Sequence, residues 1–409
     1  MRAKERSPYR INYFAVVAVV LSLALGAWAQ PKYKVLYDFK GGTDGAVPFD
    51  GVTIDQAGNL YGTTAFGGTC GQKGGCGTVF KMTPHGNGTW TEKTVHSFST
   101  WVDGWPRGGL VADEEGNLYG TAGLLFFELT AQGGWKEYEV LYSVFGWTLL
   151  MNKSGNFYGG SVFEIGPDSG GWDEKTIYTF HPHSGKDGTD GYDAQGPLIW
   201  DASGNLYGAT QLGGNYSLCS GSGGCGTVFE LVPESGGTWK EHVLHRFAQF
   251  HNDGQLPYAG VVMDGSGNLY GTTIEGGNFR NGNVCLVGCG TVFKLARGAD
   301  GHRTEVILHN FGKNKAEGIG PGTPLVIDKS GNLYGMTNEG GDQNCFCGVV
   351  FKLSPQKGGG WKYGILHVFT GGDGGVPVAG LTLDAHGKIY GATPYGGAYG
   401  NGVVFQITP

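Results

Sequence analysis

Charge is scarce in this chain. Asp, Glu, Lys and Arg together make up only 15% of the 409 residues, and the net charge is −7. Beyond the N-terminal ten residues there is no cluster of Lys or Arg, which argues against a nucleic-acid surface. After residue 29 no apolar run is long enough to span a bilayer. No H-E-x-x-H and no G-x-S-x-G occurs, which removes the common zinc-protease and α/β-hydrolase signatures. "GNLYG" resembles a nucleotide loop only superficially, because it falls on a strand pattern with no helix behind it to receive a phosphate.

Glycine and aromatics fill the space that charge leaves. There are 80 Gly, and Phe, Trp and Tyr reach 13%. That combination predicts many short strands joined by tight turns, and it holds too many large apolar side chains for a disordered chain. The N-terminus differs from the rest: "MRAKERSPYR" is basic, "INYFAVVAVVLSLALGAWA" is apolar, and "AWA" at 27–29 fits a cleavage site. Residues 1–29 are therefore expected to be a signal peptide cut after Ala29, with a retained anchor as the alternative. The expected location is outside the bacterial cytoplasm: secreted, periplasmic or on the cell surface.

Residues 30–409 are dominated by a repeat. "GNLYG" centres on Tyr61, Tyr119, Tyr207, Tyr270 and Tyr334, with variants at Tyr158 and Tyr390. Six residues ahead of each stands Asp55, Asp113, Asp201, Asp264, Asp328 or Asp384, replaced by Asn152 in the third copy. A short apolar run such as "GVTID" precedes each of them, so every unit reads strand, D-x-x-G-N turn, strand. A third strand ends near Phe80, Phe127, Phe163, Phe229, Phe293, Phe351 and Phe405, and a fourth follows, as in "WKEHVLHRF" at 239–247. Four antiparallel strands repeated seven times predict a single all-β domain, a seven-bladed β-propeller. The last copy stops after three strands, and "KYKVLYDF" at 32–39 aligns with the missing fourth, so the N-terminal strand is expected to close blade seven.

The linked motifs "DxxGNLYGTTxxGG" and "GTVFKLxP", as at 264–275 and 290–296, resemble the GloVer tandem repeat of secreted and surface bacterial proteins. The resemblance covers essentially all of 32–409. It implies a propeller-like architecture and an exported location, and no chemistry.

Eight cysteines fall into close pairs: Cys70 with Cys76, Cys219 with Cys225, Cys285 with Cys289, and Cys345 with Cys347. In an exported chain these predict four local disulfides. No His stands among them at ligand spacing, so structural zinc is disfavoured.

Loops joining second and third strands share a face with the linkers between blades, and sequence variation concentrates there. A groove open above blades two and three, walled by blades four to six, is the predicted binding site. Its aromatic and imidazole candidates are Trp101, Trp105, Trp147, His181, His183, Tyr192, His251 and Tyr258, and its acids are Asp103, Asp190, Asp193 and Asp253. Exposed aromatics beside carboxylates suit sugar rings, although loops of this length also need aromatics for their own packing. Asp187, Asp190 and Asp193 resemble part of a calcium loop without its full ligand ladder, and no other cofactor is expected. His96, His245, His309 and His367 occupy one register position on four fourth strands, which predicts packing in place of catalysis. The expected function is an extracellular binding scaffold, monomeric, for glycans or a surface protein. A carbohydrate-active hydrolase or lyase using the variable-face acids and a structural envelope component are the alternatives.

Overall fold

The computed structural model describes residues 30–409 except 72–73, 101–103, 133, 143–147, 161, 170, 182–189, 215–218, 220–222, 249–251 and 280–284, with backbone alone at 136–142. Seven four-stranded antiparallel sheets follow one another along the chain. Blade five is representative: Val262–Met263, Leu269–Thr273, Thr291–Arg297 and Arg303–Asn310, innermost to outermost. Blade seven is composite. Lys32–Asp38 pairs antiparallel with Val403–Thr408, running from Lys32 opposite Thr408 to Asp38 opposite Val403. The ring is thus closed by main-chain hydrogen bonds that leave no open edge at its seam. Among the described residues no helix is long and apolar enough to cross a membrane.

The repeated residues explain the blade. In blade five the Asp264 carboxylate accepts the N–H groups of Ser266 and Asn268 at 2.9 and 3.0 Å. Its other oxygen takes the Asn268 amide and the Tyr270 hydroxyl, both at 2.8 Å. Burial by itself would raise this carboxyl; the hydrogen bonds outweigh burial and hold it below the usual range. The Gly after Tyr has an equally local cause. A Cβ on Gly271 would lie 2.5 Å from the Phe293 ring on the next strand, so only glycine leaves room for that ring.

The cores lie between blades. Among the described residues, the Phe closing an outer strand meets the third-strand Phe of the next blade edge to face. Phe247 and Phe293 stand 5.1 Å apart, Phe311 and Phe351 5.3 Å, and Phe39 and Phe80 5.2 Å across the seam. These rings are fully buried. Each such contact adds about 1 kcal/mol beyond the area it buries.

Candidate functional site

The linkers return from the outer strand of one blade to the inner strand of the next, and each ends in the same short pattern. "PFDGV" at 48–52, "PRGGL" at 106–110, "AQGPL" at 194–198, "PYAGV" at 257–261, "PGTPL" at 321–325 and "PVAGL" at 377–381 share one register. The closing aliphatic is buried in every one of them. The second position differs in each: Phe49, Arg107, Gln195, Tyr258, Gly322 and Val378. All six line one cavity of about 330 Å³ on the propeller axis, which Thr148 of blade three and Asn338 complete. This lies at the low end of the range for small-ligand sites.

The turns that aim these residues are strained. Val47, Trp105, Leu256 and Val376, each just ahead of the proline, have φ of 60, 61, 57 and 50°. Left-handed backbone is unfavourable for such side chains and persists only where neighbours enforce it. The enforcement is visible. The N–H of Trp105 donates to the Cys76 carbonyl at 2.7 Å, Leu256 to Cys225 at 2.9 Å, Gly320 to Cys289 at 3.0 Å and Val376 to Cys347 at 2.8 Å. All four predicted disulfides are formed. The second cysteine of each therefore holds the axial turn of the following blade.

The cavity has mixed electrostatics. Desolvation raises the carboxyl of the half-buried Asp50, while N–H groups of Gly51, Gly109 and Gly380 pull it back; it ties blade one to both neighbours. The Arg107 guanidinium lies over the Phe49 ring, 5.5 Å from its centroid. The Tyr258 phenol is raised by burial and then by Asp193, with Arg107 opposing. Asp193 also accepts the Gln195 amide at 2.6 Å.

Residues 216–409 match the model of the Gloeobacter/Verrucomicrobia repeat. That stretch of the chain carries this repeat. No curated protein matches it. Among solved structures, streptogramin B lyase superposes with a TM-score of 0.52 at 12% identity, covering 93% of this chain and 99% of that one. The extracellular domain of a B. thetaiotaomicron protein described as a one-component system gives 0.54 at 12% identity, over 93% of this chain and 42% of that one. At such identity the likeness is one of fold.

On the outer side of the propeller a second constellation recurs. It joins the ring residue near the end of one fourth strand, an acid in the linker, and the third residue of the next fourth strand. Between blades five and six, His309 stacks on Tyr363 with centroids 4.2 Å apart, and the Tyr363 hydroxyl donates to the Glu317 carbonyl. Between six and seven, His367 stacks on Tyr33 at 3.5 Å, and Tyr33 donates to the Asp373 carbonyl at 2.6 Å. Elsewhere the tyrosine is a glutamate facing the linker acid. Burial and then the Asp44 charge push Glu92 up to about 7, and burial and then Asp190 push Glu241 up to about 8. Glu305 rises to about 9 through burial and Asp253. Burial takes His309 down to about 4.

The predicted site residues divide accordingly. Asp193 and Tyr258 act at the axis, and Gln195 beside them was not anticipated; nor were Phe49, Asp50, Arg107 and Asn338. Asp190 and Asp253 belong to the outer contacts: Asp190 accepts the Tyr178 hydroxyl at 3.1 Å and the His181 N–H at 2.9 Å. His181 is itself largely exposed. Tyr192 pairs with Leu212 in a two-stranded ribbon, and Trp105 lies 6.2 Å from Phe66. Trp101, Asp103, Trp147, His183, Asp187 and His251 lie outside the described residues. Phe49, Arg107 and Gln195 had a signal, since the second residue of the shared linker pattern differs in all six copies.

Proposed function

We propose that this protein is an exported binding scaffold that takes the end of a glycan in its axial cavity. The observation that carries the reading is the ring of unlike residues at one register position, set in a chain that otherwise repeats itself. Phe49 and Tyr258 offer aromatic surface for sugar C–H groups, and Gln195 and Asn338 offer amides for hydroxyls. Arg107 adds a cation, which favours acidic sugars. A volume of about 330 Å³ suits one or two rings. The four disulfides fit an oxidising compartment, in keeping with export.

The test is a panel of neutral and acidic polysaccharides, scored for retention and for new reducing ends. Retention of an acidic glycan, weakened at least about tenfold by Arg107→Ala with Tyr258→Ala and with melting preserved, is the expected result. New reducing ends would move the protein to the hydrolase or lyase class. Retention that ignores both substitutions would remove the axial cavity from the account, and no retention at all would favour a protein partner.

A further inference from the structure

The outer contact between blades four and five differs from its counterparts. Among the described residues it alone brings together three side chains able to ligate a metal: His245, Asp253 and Glu305, with ligand atoms all within 4.8 Å of one another. Among the described residues, four other joints put Tyr37 or Tyr178 in place of the histidine, or Tyr33 or Tyr363 in place of the glutamate.

The geometry points to a divalent transition-metal site, zinc by preference, that clamps blade four to blade five. Two observations carry this. His245 Nε2 lies 3.5 Å from Asp253 Oδ2 and 3.7 Å from Glu305 Oε1. Those separations are too long for hydrogen bonds. They lie close to the roughly 3.3–3.4 Å between ligand atoms held about 2.0–2.1 Å from a tetrahedral zinc. The second observation is independent of the acids. The His245 side chain is nine-tenths buried and its Nε2 has no hydrogen-bond partner, although it points at both carboxylates. An imidazole aimed at two carboxylates across such gaps has the arrangement of a ligand set.

One imidazole and two carboxylates suit zinc, with water as the fourth ligand. Calcium would demand six or more oxygens and gain nothing from the imidazole. Because His245 and Asp253 come from blade four and its outgoing linker, and Glu305 from blade five, the ion would cross-link two blades.

The test uses chelator-stripped full-length protein, titrated calorimetrically with Zn²⁺ and spectroscopically with Co²⁺. One ion per chain is expected, with tetrahedral Co²⁺ absorption and a higher melting temperature in zinc. His245→Tyr and Glu305→Tyr are the informative variants, since other blades carry tyrosine in both slots and tolerate it. Each should weaken zinc at least about 100-fold and abolish the melting shift. Failure of the parent protein to bind either ion overturns the proposal. So does binding that both variants retain, which would mark adventitious capture by exposed histidines.

Discussion

The inner and outer ends of the blade interfaces follow opposite rules. At the outer end the same three-part contact recurs with few chemistries: a stacked His and Tyr between blades five and six and six and seven, or a carboxyl pair beside Tyr or His at three other joints. At the inner end one position holds Phe49, Arg107, Gln195, Tyr258, Gly322 and Val378, and nearly every copy sits behind a strained turn. The outer end fixes blade to blade, and it can be rewritten within its small alphabet without altering the cavity. The inner end presents side chains to the axis, and there Asp50 and the hydroxyls of Thr53 and Thr382, which donate to the Leu110 and Val52 carbonyls, tie neighbouring blades. Uniform contacts at the outer end and unlike side chains at the inner end are thus separated along the radius of the propeller.

The largest break in that comparison should come at the outer rim. Deleting residues 30–39 removes the fourth strand of blade seven and with it Tyr33 and Tyr37, one tyrosine from each form of the outer contact. It also removes Phe39, which is fully buried against Phe80. Loss of one large core side chain alone costs about 3–5 kcal/mol, so cooperative melting should fall by more than about 10 °C or vanish. Unchanged melting by calorimetry would mean that the seam does not carry the ring.

That closing strand was legible in the sequence, because "KYKVLYDF" matches the outer strands in length, alternation and terminal Phe. The blades and the disulfides were legible for the same reason, since local spacing governs a turn or a short covalent loop. The cavity was not. Asp190 and Asp253 looked like site acids by composition, yet their linkers run along the outer strands before turning inward, so they meet Tyr178 and His245. Which end of a linker faces the axis depends on how seven blades close, and no single repeat contains that information. The histidines were read as packing residues, and His309 and His367 do stack against the next blade. That one of them meets two acids required knowing which strand comes next in space.

A smaller effect should appear at the inner rim. Cys225 backs the turn that aims Tyr258, through the Leu256 N–H. Replacing Cys219 and Cys225 together by Ser should cost about 2 kcal/mol by the loop-closure estimate. It should also free Leu256 from its left-handed conformation and weaken any ligand held by Tyr258, as no outer-rim change should. Denaturant melts paired with binding measurements check both halves. Equal affinity in the double variant would show that the disulfide loop and the axial turn are uncoupled.

The smallest effect separates the two forms of outer contact by pH. Glu92 and Glu241 titrate near 7 and 8 in the folded protein and near their ordinary value when unfolded. Between those values the folded chain holds protons that the unfolded chain has released, so stability falls as pH rises. His309, lowered to about 4, has the opposite sign: it favours folding as pH rises from about 4 to about 6.5. The two trends offset each other below about pH 6.5, and the glutamate slope stands alone from there to about pH 8. Both carboxyls are partly open to solvent, which screens them to about 1 kcal/mol each. Glu92→Gln with Glu241→Gln should make that part of the profile shallower, because an amide resembles the protonated acid, while Glu305, pushed up to about 9, keeps the remaining slope. Chelator-treated samples melted at pH 6.5, 7.25 and 8 give the comparison. A slope unchanged in the double variant would place the responsible protons elsewhere in the ring and dissolve the distinction between glutamate and tyrosine joints.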